Sequence, residues 1–200
     1  MKKEEKTRLR QKQIIAAAME EFSTKGYEGF GINELCKQHG ISKGVLYHNF
    51  SGKADLYLTC AQESFQKAMS VLIGDTGTIP SLQTYVERRH RFYQEYPLHS
   101  HIFFEAMIAT PKDLEEVLAP QKQVFEDLNE QVCLKMISSS TLKAGMEQKQ
   151  AMAYLRLIQD MFRSYYLSMS SDKSLATLAT DYQDQLVKVL ELMIYGILED

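Results

Sequence analysis

Ile32-Asn33-Glu34-Leu35-Cys36-Lys37-Gln38-His39-Gly40-Ile41-Ser42-Lys43-Gly44-Val45-Leu46-Tyr47-His48-Asn49 is the stretch from which the rest of this chain can be read. Leu35, Ile41, Leu46 and the following Phe50 are spaced to pack two short helices, about Ile32 to His39 and Lys43 to Asn49, with the small Cys36 at their crossing. Gly40-Ile41-Ser42 supplies the turn, because glycine reaches positive φ without a Cβ penalty. Helix, glycine-bearing turn and second helix make a helix-turn-helix pattern. Ser42 is a good N-cap, which leaves the free N–H groups and the positive dipole end of the second helix facing outward, where a phosphate can sit. Lys43, Gly44, Val45, Tyr47 and His48 then offer a cation, a point of close approach, an apolar group for a thymine methyl and phosphate donors.

Punctuation changes on either side of this stretch. Six of the ten glycines fall between residues 26 and 52, while the four prolines, 80, 97, 111 and 120, all come later. The early part reads as short helices in tight turns, the later part as long helices with sharp breaks. Ile14, Ala18 and Phe22 stripe a first helix that ends at Lys25-Gly26. A fourth helix starts after Ser51-Gly52 and runs to about Ile73, followed by a loop from Gly74 to Pro80. Five long helices are expected at about 81–95, 98–109, 113–139, 147–169 and 175–197. No run alternates like a strand, so the fold class is all-α.

The 200 residues are 44% hydrophobic and 24% charged, an ordinary globular composition. A net charge of −3 argues on its face against a nucleic-acid partner. The charge is unevenly placed, however: residues 1–60 carry +3 and residues 61–200 carry −6, with +4 in the first twelve residues. A basic arm against a polyanion and a solubilising tail both fit that start. Cys36, Cys60 and Cys133 are odd in number and widely spaced, which suits a reducing cytosol better than a disulfide framework. The N-terminus lacks the apolar stretch of a secretion signal, and no apolar run approaches the roughly 20 residues of a membrane span. A cytoplasmic protein with no membrane association is expected. No GxGxxG, P-loop, HExxH or GxSxG motif is present, so an enzyme is not expected, and neither is a cofactor. His90, His99 and His101 lack the spacing of a metal site.

Gly26-Tyr27, then Ile32 and Leu35, then the unbroken run from Gly40 through Leu46-Tyr47, Phe50, Lys53 and Leu56 together resemble the tetracycline-repressor (TetR) family over about residues 11–60. The resemblance implies a three-helix DNA-binding domain at 1–52 and a larger helical ligand-binding and dimerisation domain at 53–200. It further implies a homodimeric regulator, usually a repressor, that leaves a near-palindromic double-stranded operator when a small-molecule effector binds. By position, Ser42 to His48 become the recognition helix, with Lys43, Gly44 and Val45 near base edges and Tyr47, His48 and Lys53 on phosphates. Lys53, at the start of the fourth helix, can then report ligand state to the DNA. Plainer roles also exist: Tyr47 packing on the first helix, His48 as a surface residue, Lys53 as a helix-start residue. Phe30-Gly31 replaces the Thr or Ser that often caps the second helix in the family, which removes a phosphate-binding hydroxyl. Asn49 stands where His is common.

The C-terminal part holds eight of the ten methionines and fourteen of the twenty Phe and Tyr residues. Such residues shape both cores and apolar cavities. Tyr85, Phe92 and Tyr93 on one helix, Phe103, Phe104 and Met107 on the next, and Phe125, Met136, Tyr154 and Phe162 beyond them are the candidate cavity wall. Arg89 falls inside the apolar stripe of the helix 81–95 and needs an anion, either an internal carboxylate such as Glu105 or a ligand, unless it snorkels to the rim. The last two helices carry more apolar surface than one core face requires. Tyr154, Ile158, Met161 and Tyr165 on one, with Leu186, Val189, Leu190, Met193, Ile194 and Ile197 on the other, suit a four-helix dimer seam, with burial inside one subunit as the alternative.

Overall fold

A computed structural model describes residues 3–75, 77–169 and 174–198, with side chains from Glu5 onward except at position 195. The first residues of the basic arm and Thr76 of the loop after the fourth helix therefore lie outside the described residues or side chains. The Ile14–Ala18–Phe22 stripe is buried together with Ala17 and Met19, and it carries helix α1, Lys3–Gly29. The expected end at Gly26 is a break in the axis (φ 68°, ψ 176°), after which one more turn runs in a new direction. That turn and the residue beyond it bring two rings into the core: Phe30 stacks on Phe22 at 3.9 Å and Tyr27 meets Tyr57 edge-on at 5.0 Å.

Helices α2 (Ile32–Gln38) and α3 (Lys43–Asn49) stand as expected, joined through Gly40 at φ 63°. Ser42 caps α3 by accepting the Val45 N–H at 3.3 Å, whereas Gly31 caps α2 with no side-chain bond. Helix α4 (Lys53–Ile73) begins where Asp55 reaches back to the Ser51 N–H at 2.8 Å. Its buried face runs from Leu56 and Tyr57 through Cys60, Ala61 and Phe65 to Ala68 and Leu72, leading from the head into the body.

The body consists of α5 (Leu82–Glu95), α6 (Pro97–Ile108), a 3-10 turn (Lys112–Leu114), α7 (Glu115–Ser138), α8 (Gln148–Ser168) and α9 (Leu175–Ile197). Pro97 opens α6 at a position where no N–H is needed. Pro120 does not break the chain as the other prolines do; it sits inside α7, at an exposed position where water can take the freed carbonyl. Residues Ile102 to Met107 are all buried, so α6 is the central helix, with α1, α4, α5, α7, α8 and α9 packed around it. One continuous apolar cluster extends from Ile14 to Val132 and crosses the expected 52/53 boundary. A second cluster fills the space between α7, α8 and α9.

Candidate functional site

The outer face of the head is built by α3. Lys43, Gly44, Tyr47 and His48 are exposed and Val45 is half-buried. Tyr47 is 55% exposed, so more than half of its surface is open on this face. A Cβ added at Gly44 would meet nothing within 4 Å, so the chain's own packing does not require glycine there. Asn49 turns inward and donates to the Val45 carbonyl at 2.7 Å. Lys53 lies beside this surface, its ammonium 4.2 Å from the centre of the Tyr27 ring and 3.5 Å from the Glu28 carbonyl. Cation–π contact fixes the start of α4 against the last turn of α1.

Behind the head, a cavity of about 310 Å³ opens between α5, α6, α7, α8 and α9. Tyr85, Arg89, Tyr93, Phe103, Phe104, Met107 and Phe125 line it as the sequence suggests. Four expected wall residues lie elsewhere. Phe92 is buried among Tyr93, Tyr96 and Phe103, and Met136 packs in the cluster between α7, α8 and α9. Tyr154 is turned against Gly196, and Phe162 joins an aromatic group with Tyr166 and Tyr182. Asn129 and Cys133, on the α7 stripe that starts at Phe125, and Arg156, Gln159 and Arg163 on α8 also line the cavity. Their four- and three-residue spacings, with polar side chains on an otherwise apolar wall, were readable in the sequence.

Arg89 is 6% exposed. Its Nε donates to Gln183 Oε1 at 3.0 Å and its Nη1 to the Tyr85 hydroxyl at 3.2 Å, and the Tyr85 hydroxyl in turn donates to Asn129. The rings of Phe125, Tyr182 and Tyr93 surround the guanidinium at 5.5, 5.7 and 6.0 Å. The expected internal carboxylate is not its partner. Glu105 instead accepts the Tyr27 N–H on Oε1 at 2.8 Å, across the junction of α6 and α1. Burial raises the Glu105 carboxyl to about 6, against the Tyr27 N–H, which favours the anion. On α5, Arg88 donates to the Leu72 and Ile73 carbonyls at 3.0 and 2.5 Å and so closes the end of α4.

The expected seam divides differently from the sequence reading. Leu186, Leu190, Met193 and Ile197 are buried inside the subunit, and Tyr154, Ile158, Val189 and Ile194 are half-buried. Helix α9 is apolar on several sides because it is wedged against α1, α5, α6 and α8. Met161 (63% exposed) and Tyr165 do face outward, together with Leu157 on α8 and Leu192 (70% exposed) on α9. Among the described residues no helix is long and apolar enough to cross a membrane, and no three or more His, Cys, Asp or Glu are grouped as metal ligands would be.

A two-helix corner with an exposed second helix, set on a helical body with its own cavity, defines a helix-turn-helix protein. Residues 14–60 match the model of the bacterial regulatory proteins of the tetR family. The HTH-type transcriptional activator FasR of Mycolicibacterium smegmatis is 35% identical over 82 residues, 41% of this chain and 35% of that protein. The HTH-type transcriptional repressor AcnR of Corynebacterium jeikeium is 33% identical over 78 residues, 39% of this chain and 41% of that one. The match thus spans less than half the length of either relative. A TetR family transcriptional regulator from Agrobacterium tumefaciens shares the fold at a TM-score of 0.62 and 15% identity, over 91% of this chain and 98% of that one. Residues 14–60 thus match the tetR-family model, and the chain as a whole shares its fold with solved TetR family regulators.

Proposed function

We propose that this chain is a ligand-responsive transcriptional regulator, not an enzyme, acting in the cytosol as a homodimeric repressor on a near-palindromic operator. Residues 1–52 form the reading head and residues 53–200 the sensing and dimerising body. Lys43, Gly44 and Val45 read base edges, while Ser42, Tyr47, His48 and Lys53 hold phosphates. The printed names of the relatives include both an activator and a repressor. We favour repression because a ligand that displaces α4 most directly costs the dimer its operator spacing.

One observation carries this reading: neighbouring residues on the same helix serve the cavity and the head. Arg89 lines the cavity while Arg88 closes the end of α4. Phe104 and Met107 line the cavity while Glu105, between them, holds the backbone of α1. A ligand that shifts α5 or α6 therefore shifts the helices that aim α3. Ligand and DNA then oppose each other reciprocally in affinity. The outward stripe of Leu157, Met161, Tyr165 and Leu192 is the proposed dimer face, which sets the two recognition helices one DNA turn, about 34 Å, or a multiple of it apart.

The test is binding of the full chain to DNA upstream of its own gene across a salt series. Lys43→Ala is expected to weaken binding and alter base preference. Lys53→Ala is expected to weaken all DNA alike and to lower the slope of log K against log salt by about 1 per contact. Equal binding by wild type and Lys53→Ala at every salt concentration would remove Lys53 from the interface.

A further inference from the structure

The cavity wall carries carboxylates at Glu126, Glu130 and Asp160 and guanidinium groups at Arg89, Arg156 and Arg163. Arg156 and Arg163 on its wall each have a carboxylate, Glu130 and Glu126 respectively, the latter pair at 3.1 Å. Arg89 forms no ion pair with any described carboxylate and rests on neutral groups only. Two of those neutral contacts are already oriented. Gln183 is turned with its oxygen toward Arg89, so its Nε2 remains a donor, and that atom is buried without a partner. Tyr85 passes its own proton to Asn129 and can only accept from Arg89. The Tyr93 hydroxyl, on the cavity wall one turn beyond Arg89, is likewise buried without a partner. No described carboxylate meets this buried cation, and the two unpartnered groups beside it, Gln183 Nε2 and the Tyr93 hydroxyl, can both donate.

A buried guanidinium without an anion is costly, and an ionised carboxylate accepts on both oxygens and donates nothing. The rest of the wall sets the shape of what can carry that group. Phe103, Phe104, Phe125 and Met107 make flat apolar surfaces, with Phe103 and Phe125 edge-to-face at 4.8 Å. The cavity, about 310 Å³, lies at the small end of the range for ligand pockets, roughly 300–1,000 Å³. We infer that this cavity takes a small aromatic carboxylate, its anion on Arg89 and the Tyr93 hydroxyl and its ring between the Phe walls. The inference deepens the effector reading above and rests on it for its biological meaning, but binding can be tested without DNA.

The experiment is calorimetric titration of the full-length chain with benzoate and phenylacetate and with their uncharged counterparts benzamide and phenylacetamide. The carboxylates should bind at least about tenfold more tightly than the amides, since a charge-assisted bidentate contact is lost in the amide. Arg89→Met should abolish that preference, and Tyr93→Phe, which keeps the ring, should weaken the carboxylates several-fold. The acid–amide comparison uses the wild-type chain and stands even if Arg89→Met does not fold. Amides that bind as well as acids, or no binding by either acid, overturns the inference. Operator binding is measured in parallel. Arg89-dependent binding of the acids that leaves operator affinity unchanged keeps the ligand class and removes the effector role. Release of the operator by a neutral molecule while both acids stay unbound keeps the effector role and overturns the ligand class.

Discussion

Glu105 sits 8% exposed at the point where the central helix meets the head, and its carboxyl titrates at about 6 against an ordinary 4.5. The folded chain holds this proton more tightly than the unfolded chain does. Its contribution to stability is therefore complete below pH 4.5 and is lost as the pH rises through about 6, by about 2 kcal/mol. In denaturant unfolding, the stability difference between wild type and Glu105→Gln should change by about that amount between pH 4.5 and pH 7.5; a constant difference would mean the carboxyl is not perturbed. Beside it, Gly26 takes φ 68°, and a Cβ there would stand 2.8 Å from Glu105 Oε1. Gly26→Ala should cost about 2 kcal/mol, from left-handed strain together with displacement of the carboxylate, in the same unfolding assay. The sequence marked Arg89 as a polar residue on an apolar stripe, and that was correct. It could not reveal that Glu105 is taken by a backbone N–H exposed when α1 breaks at Gly26, because that break is a tertiary event.

At the scale of elements, the proposed coupling rests on α4, with Lys53 on the Tyr27 ring at one end and Arg88 on the last carbonyls at the other. Arg88→Ala leaves those carbonyls without their charged donor and should reduce stability by about 1–3 kcal/mol. It should also narrow the difference in operator affinity between ligand-free and ligand-bound protein; an unchanged difference would put the coupling elsewhere. Most of these helices were legible from four-residue spacing and from caps. Ser42, Ser81 and Ser174 each cap a helix close to its expected start. Pro120 falls inside the helix expected at about 113–139, since proline forbids one hydrogen bond but not a surface helix that can spare it. The packing of α9 was less legible. An apolar surface says that something covers it, but not whether the cover is the same chain. For Leu186, Leu190, Met193 and Ile197 it is the same chain.

Across the whole molecule, the net charge of −3 combines a basic first sixty residues with an acidic remainder, so the average conceals a head suited to a polyanion. In the proposed dimer, the acidic body should discourage non-specific wrapping and leave contact to the two heads. On that proposal, dimerisation is part of recognition. Met161→Glu combined with Leu192→Glu places charge on the outward stripe and should give a monomer in sedimentation velocity with much reduced operator affinity; an intact dimer would move the interface away from this face. The central claim is that the exposed face of α3 reads a specific duplex. The direct measurement is fluorescence anisotropy of the full chain titrated into labelled DNA from upstream of its own gene, against a scrambled duplex of equal length at the same salt. Binding with one dimer per site, at least about a thousandfold tighter than to the scrambled duplex, is the predicted result. Equal affinity for every such upstream segment and for the scrambled DNA would contradict it.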